Sequence, residues 1–428
     1  MKNNAARKLR QVPTDYLIIG VDPHKKTHVA AVMTYDLVVH TRFKFSNSGE
    51  GFQKLVQRAQ DMISKTGSRG LLFSIEAAGH YWRNLGYFLD SNGIQFRLVN
   101  PFTLKRIRDG RDNNRRKNDY HDAEMAAELL RNGDFVETRL PKGIYAELRA
   151  LHSAHHRLVE ERARMKTLLK GLLDGIFPEF TQVFKNICGM TALQVLLVCP
   201  APRSIASVKR EDFVDMVRKG FRGRAPKINK LRDLYSLART SIGIEPASNS
   251  VSLEINFLVK RLQLLSDQIQ ESEQSMITLL KCIPDASYLM SIHGISYMTV
   301  AGIFAELGPL RYYRHAGQLI KMAGTNPTEW ESAGKRSSHT PISKKGRPVL
   351  RWCLWTAARC LLRHNADFRQ WAKERLERPA HLHPLKTREV FGAVVNRLLR
   401  VAFALVKNQT YYRTPVPHRA TEFEAVTV

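Results

Sequence analysis

Three short β-branched runs stand close together near the start of the chain: YLIIGVD (16–22), THVAAVMT (27–34) and LVVHTRFKF (37–45). Connections of turn length force such runs into an antiparallel meander, because a parallel crossover needs a dozen residues or more. Helical spacing then takes over at 50–65, followed by the strand LLFSIE (71–76), a helix at 80–91, and the strand IQFRLV (94–99) after the turn Ser91-Asn92-Gly93. A further helix is predicted over 120–131. A meander followed by alternating helices and strands gives a mixed sheet with helices on its faces, so residues 1–140 read as an α/β domain.

Four acids sit at informative places on that frame. Asp22 ends the first strand, and Pro23 behind it stops the ladder and leaves the carboxylate at the sheet rim. Glu76 ends the strand LLFSIE in the same way, with Ala77, Ala78 and Gly79 leaving room beside it. Asp119 and Asp122 are spaced i, i+3 at a helix start, where they share a face. Taken singly, each has a plain explanation as a turn former or a helix N-terminal acid favoured by the dipole. Together they are the oxygen-ligand set that divalent metal requires for phosphodiester chemistry, in the layout of an RNase H-like nuclease, with Mg2+ as the expected ion and two ions as the expected number.

Charge points the same way. The 428 residues carry 67 Lys and Arg against 39 Asp and Glu, a formal net charge of +28. Such a surface favours a polyanion, with release of phosphate counterions driving affinity, so nucleic acid is the expected partner. Within the domain, Lys105, Arg106, Arg108, Arg111, Arg115, Arg116 and Lys117 precede the acid pair and are candidates to grip phosphates. The five cysteines, Cys188, Cys199, Cys282, Cys353 and Cys360, lack metal-ligand spacing and fit a reducing compartment. With no apolar run long enough to span a membrane and no signal-peptide pattern, the expected location is cytoplasmic, at the nucleoid.

Beyond residue 140 the pattern becomes helical. Leu148, Leu151, His155, Leu158, Arg162, Met165, Leu169, Leu172 and Ile176 form one heptad-like seam. Val251, Ile255, Leu258, Leu262, Leu265, Ile269, Ser272, Met276 and Leu279 form a second. Helices carrying these seams either pack on each other or pair with another subunit, and spacing alone leaves both open. The expectation is a coiled-coil arm over 141–282 that supports a homo-oligomer, a dimer or tetramer, with a basic module inserted between the seams.

Residues 283–410 read as an all-α domain. Its stretch SIHGISYMTVAGIFAELG (291–308) has Gly294 in a turn before a helix, resembling a helix-hairpin-helix whose turn amides hold a phosphate. The following loop, TNPTEWESAGKRSSHTPISKKGRPVLR (325–351), is strongly basic, and its Lys335, Arg336, Lys344, Lys345, Arg347 and Arg351 are candidate nucleic-acid contacts, along with Arg115, Arg116 and Lys117. Residues 411–428 read as a disordered tail.

The segments IGVDPHKKTH, LVNPFTLK, KNDYHDA, HGI, AGTNP, ESAGK and ISKKGRPVLR, in this order along nearly the whole chain, resemble the IS110 family of insertion-sequence transposases, including its IS1111-like members. The resemblance implies an N-terminal RuvC-like DEDD domain, a C-terminal transposase domain with an essential serine, DNA element ends and target as substrates, and a structured bridge RNA as guide. It assigns the tetrad to Asp22, Glu76, Asp119 and Asp122, and Ser332 in ESAGK as the best match to the serine, with Ser337, Ser338 and Ser343 as rivals. It also implies a composite site. The expected reaction is strand cutting and rejoining. The alternatives are a junction-type endonuclease that hydrolyses DNA with metal-activated water, and a nucleic-acid packaging protein without catalysis.

Overall fold

The computed structural model describes residues 2–111, 118–136, 139–221, 226–244, 248–328, 331–332, 335–336, 341–379 and 384–413. The chain divides into two units, Met1–Leu140 and Pro141–Val428.

In the first unit, helix α1 (Lys2–Leu9) precedes the meander β1 (Tyr16–Asp22), β2 (Thr27–Met33) and β3 (Val39–Ser46). There follow α2 (Gly49–Thr66), β4 (Gly70–Glu76), α3 (Trp82–Ser91), β5 (Phe96–Val99), α4 (Pro101–Arg111) and α5 (Asp119–Arg131). The five strands form one mixed sheet in the order β3-β2-β1-β4-β5. β1 pairs antiparallel with β2 and parallel with β4, and β4 pairs parallel with β5.

Because side chains alternate across a strand, the two faces of the sheet have separate cores. Leu17, Ile19, Val21, Phe73 and Ile75 pack toward Phe52 and Leu55 of α2 and Leu85 and Leu89 of α3. Ile18 and Leu72 pack instead with Leu104 of α4 and Ala126, Ala127 and Leu130 of α5. Gly20 and Ser74, paired across β1 and β4, lie on this second face by the same alternation. So do Asp22 and Glu76.

Helix α5 comes unusually close to the sheet at that point. A Cβ placed on Gly20 would lie 1.8 Å from the Ala123 carbonyl oxygen and 2.9 Å from the Ala127 amide nitrogen, both backbone atoms. The Ser74 hydroxyl donates to the Ala126 carbonyl at 2.5 Å, tying the helix to β4. Small residues on both sides thus let a helix lie directly on the strands. Its start is fixed by Asn118, whose side chain accepts a hydrogen bond from the Tyr120 amide.

The second unit is helical. α6 (Ile144–Ile176) runs out to five shorter helices, α7 (Phe180–Val183), α8 (Met190–Val198), α9 (Pro202–Ala206), α10 (Arg210–Lys219) and α11 (Ile228–Arg239), and α12 (Ser248–Lys281) returns. α6 and α12 pack antiparallel within the chain. At one end Leu148 shares a core with Met276 and Leu280, and at the other Leu169, Leu173 and Ile176 share one with Ile255, Leu258 and Leu262. Between them His155 faces Glu273, and Glu161 pairs with Arg261. The buried stripe differs in detail from the heptad seam: His152 and Leu173 are buried, whereas the predicted Leu151 and Leu172 are only half-buried. A straight helix of 3.6 residues per turn drifts from a 3.5-residue seam, so the buried positions shift along its length.

The remaining elements are α13 (Ala286–Met290), α14 (Tyr297–Leu307), α15 (Ala316–Ala323), the strands β6 (Glu331–Ser332) and β7 (Lys335–Arg336), α16 (Pro348–His364), α17 (Ala366–Leu376) and α18 (Thr387–Asn408). They surround the apolar α14, with α18 contributing Val394, Val395, Leu398 and Leu399 to the same core. Helix α13 holds only five residues, so the pair α13–α14 is a single helical turn followed by a full helix. Within the segment expected to be a disordered tail, Tyr412 is held: its amide donates to Ser291 Oγ at 2.7 Å, and its hydroxyl pairs with Asp367 at 2.5 Å. Residues 414–428 lie outside the described residues.

The contact at Gly20 yields a stability prediction. Gly20→Ala forces backbone against backbone and is expected to destabilise the first unit by about 3 kcal/mol or more, at the upper end for overpacked cores, as read by urea unfolding. Ser74→Ala keeps the shape and loses one hydrogen bond, for a cost of about 1 kcal/mol.

Candidate active site

The four acids of the first unit converge on Asp22. This carboxylate is 5% exposed at the end of β1. The Glu76 carboxyl, beside it at the end of β4, is pushed up to about 7. Burial is the main cause, and repulsion from Asp22 and Asp122 and a hydrogen bond with Asp22 add to it. Arg108 opposes the shift.

Asp122 is 2% exposed on the first turn of α5. It is held by Arg108 from α4, whose Nη1 donates to Oδ1 at 2.8 Å and to Oδ2 at 2.7 Å. Arg108 was expected among the residues gripping phosphate. In the structure it is instead the counter-charge to a buried carboxylate. Arg115, Arg116 and Lys117 lie outside the described residues.

Asp119, on the same first turn, is about two-fifths exposed and faces a different neighbour. His24 Nε2 lies 3.8 Å from Asp119 Oδ1, and His24 Nδ1 lies 3.8 Å from Asp22 Oδ2. Asp22, His24 and Asp119 can offer one ligand atom each within 4.8 Å of one another. Asp22 therefore belongs to two groups at once, one with Glu76 and Asp122 and one with His24 and Asp119.

Sequence reasoning singled out the acids but not the two histidines of DPHKKTH. His28 is wholly buried on β2, with its ring stacked on Phe52 at 5.9 Å and edge-on to Phe45 at 5.2 Å. Burial lowers its pKa to about 4, so the imidazole is neutral, and Nδ1 accepts a hydrogen bond from the His24 amide at 2.9 Å. Asn47 adds two bonds to the same turn, its amide donating to the Lys26 carbonyl and its side chain to the Lys25 carbonyl. The loop carrying His24 is thus pinned on both sides. A histidine two residues past a strand-end acid was the signal available in the sequence.

In the second unit, Ser332 ends β6 and pairs with Lys335 of β7, while Glu331 pairs with Arg336. The side chains of Ser332, Lys335 and Arg336, and residues Ser337 and Ser338, lie outside what is described. The stem beneath this hairpin is well defined. Thr328 donates to the Pro341 carbonyl, Ser343 to Asn326, Lys344 to Gly324 and Arg347 to Met322, all through backbone amides. At its base Gly324 and Gly346 touch: a Cβ on Gly346 would lie 2.4 Å from the Gly324 nitrogen. Ser343 bonds Asn326 Oδ1 at 2.7 Å, so it is a strut of this stem.

Two predicted nucleic-acid contacts brace the same stem. Arg347 bonds the Glu306 carbonyl and lies 3.6 Å from the Glu306 carboxylate. Burial raises the pKa of that carboxyl, but a hydrogen bond with His152 and the charges of Arg347 and Arg149 outweigh it and hold it below the ordinary value. Arg351 Nη1 donates to the Ala323 carbonyl at 3.0 Å. Lys344 and Lys345 are exposed. Gly294 adopts φ +92 in the turn before α14, close against His364, and Asn365 Nδ2 donates to the His293 carbonyl of that turn.

Comparison with known proteins places these elements. Residues 19–178, which include all four acids, match a family model described as a transposase of the DEDD type of IS110, and residues 286–373 match a model for the transposase IS116/IS110/IS902 family. The chain belongs to the IS110 family of transposases. It is 24% identical over 419 residues to the transposase for insertion sequence element IS1111A of Coxiella burnetii, covering 95% of this chain and 94% of that one. A 44.8 kDa protein of insertion element IS116 from Streptomyces clavuligerus is 22% identical, over 94% of this chain and 97% of its own. This transposase is accordingly an enzyme of DNA strand transfer that binds DNA. Among its described residues, no helix is long and apolar enough to cross a membrane.

Glu76 gives a pH prediction. Its folded pKa stands above the value of 4.5 for a free side chain, so the folded state binds the proton more tightly and loses stability as pH rises from about 4.5 to about 7. In metal-free protein, Glu76→Gln is expected to raise the unfolding midpoint at pH 8 by about 2–6 °C. The difference should vanish near pH 4, and shrink at pH 8 when a divalent ion is added.

Proposed function

We propose that this transposase cuts and rejoins DNA strands with divalent metal, expected to be Mg2+, held at Asp22, Glu76, Asp119 and Asp122, and with Ser332 as the nucleophile. The observation that carries the reading is the gathering of all four carboxylates around Asp22. Burial, with repulsion from Asp22 and Asp122 added to it, raises the Glu76 pKa, and Arg108 offsets the shift only in part. A donor set of hard oxygens at a sheet rim, unfavourable until a cation arrives, fits Mg2+ chemically. Asp22 belongs to both groups of acids, so it would contribute to holding metal with either group. When bound, the metal would neutralise charge on the scissile phosphate and on the oxygen that leaves.

The chain's own residues divide the remaining work. Asp22 and Glu76 are fixed by the sheet, and Asp119 and Asp122 by the first turn of α5, so the ligand positions are set before substrate arrives. Ser332 lies on β6, in the loop whose two legs are joined by the backbone bonds between 322–328 and 341–347. Its oxygen would bond to phosphorus as the deoxyribose oxygen leaves and takes a proton. The serine phosphodiester keeps the bond energy for the strand that rejoins, which separates this reaction from hydrolysis.

The partners we assign are the DNA ends of the element, a DNA target and a structured guide RNA. The net charge of +28 supports polyanion binding, and the exposed Lys344 and Lys345 are surface contacts of the right sign. A homo-oligomer, dimer or tetramer, is supported by Leu253, Phe257 and Leu264 on α12, which share one helix face and are 54%, 59% and 56% exposed.

Trapping experiments with nicked DNA substrates test the mechanism. Wild-type protein with Mg2+ should form a covalent protein–DNA adduct, and Ser332→Ala should bind DNA yet form none. Strand exchange at the full rate by Ser332→Ala would contradict the serine mechanism and leave metal-activated water. Asp22→Asn and Asp119→Asn should each slow adduct formation by at least about a hundredfold.

A further inference from the structure

We propose that His24 is itself a ligand of the metal site, supplying Nε2 alongside carboxylate oxygens of Asp22 and Asp119, and that its nitrogen strengthens the binding of Mn2+ more than that of Mg2+. The inference rests on the metal-binding reading above and adds a residue to it.

Geometry carries the assignment. Two atoms bound to one ion at about 2.1 Å are separated by at most about 4.2 Å. His24 Nε2 and Asp119 Oδ1 are 3.8 Å apart, as are His24 Nδ1 and Asp22 Oδ2. Nε2 is thus at ligand spacing from Asp119, and one nitrogen of the ring lies within 4.8 Å of a carboxylate oxygen of each acid. Its other nitrogen has a separate role: Nδ1 lies 3.4 Å from the Asp22 main-chain oxygen. A proton on Nδ1 pointing at that carbonyl leaves the Nε2 lone pair facing Asp119. Metal-bound histidines characteristically have this arrangement, with the second nitrogen fixing the tautomer and aim of the first.

The surroundings hold the main chain that carries the ring in place without metal. The neutral His28 accepts the His24 amide hydrogen at 2.9 Å, and Asn47 Nδ2 donates to the Lys25 carbonyl at 3.1 Å. Pro23 restricts the backbone ahead of the histidine. An exposed side chain that served only as a counter-charge would need none of this support, since a surface pair is worth little and tolerates movement.

Ligand chemistry then sets the metal. Mg2+ prefers an all-oxygen octahedron, whereas an imidazole nitrogen favours later divalent ions, and among ions that also accept carboxylates Mn2+ fits a mixed N/O set. A purely carboxylate tetrad would accept either ion and would show no nitrogen coupling.

The test is pulsed electron paramagnetic resonance of Mn2+ bound to the full-length protein, with Mn2+ and Mg2+ affinities measured in parallel. Wild type should show a nitrogen-14 coupling to Mn2+ that His24→Gln removes. The same change should weaken Mn2+ binding about tenfold or more and Mg2+ binding less than about threefold. Because His24 is partly exposed on a loop, both His24→Gln and His24→Asn should keep the wild-type circular dichroism spectrum. A nitrogen coupling that persists in both variants, or Mn2+ binding unchanged in both, would overturn the assignment. Loss of Mn2+ in Asp22→Asn alongside unchanged binding in His24→Gln would overturn His24 alone. Unchanged binding in Asp22→Asn and Asp119→Asn would overturn the metal site itself.

Discussion

The contact between the backbone of α5 and that of β1 at Gly20 is the constraint on which the first unit depends. With a Cβ position 1.8 Å from the Ala123 oxygen, no other residue type leaves the helix where it is. This proximity lets the first turn of α5 present Asp119 and Asp122 at the same rim where β1 and β4 end in Asp22 and Glu76. Two like charges 4 Å apart repel by about 4 kcal/mol at an effective dielectric near 20, so such a cluster is costly to assemble. The Gly20 contact and the Ser74 bond hold the helix down against that repulsion. Arg108 offsets part of it, and burial together with the charges of Asp22 and Asp122 still holds the Glu76 pKa above its ordinary value.

The same physical solution recurs in the second unit. Gly324 and Gly346 meet backbone to backbone at the base of the loop that carries Ser332. Four amide bonds and two arginines, one of them against the buried Glu306, keep the legs of the loop together. In both units, absent side chains let main-chain segments approach, a few residues from the groups proposed for the chemistry. The +28 charge of the chain sets the background: a polyanion such as DNA is attracted, and the acids at this rim stand out against it.

Much of this was readable from the sequence, for identifiable reasons. β-Branched runs with short connections dictated the meander, and strand-end acids before Pro23 or beside Ala77 and Gly79 stood out because nothing else explains all of them together. What depended on distance across the fold was not readable. Arg108 looked like any other residue of a basic run until α4 placed its guanidinium on Asp122. Arg347 and Arg351 looked like phosphate contacts until the stem placed them against Glu306 and Ala323. The buried stripe of α6 includes His152 and Leu173, a shift that a heptad template misses over 33 residues. His24 and His28 escaped notice because a histidine's role follows from which of its nitrogens faces which partner. Only tertiary structure fixes that.

The central claim is that the four carboxylates are gathered to hold divalent metal. Anomalous diffraction from crystals soaked in Mn2+ tests it most directly. The account predicts a peak enclosed by Asp22, Glu76, Asp119 and Asp122, within about 2.3 Å of oxygens from at least two of them. A map with no anomalous density at that rim, although Mn2+ saturates the crystal, would contradict it.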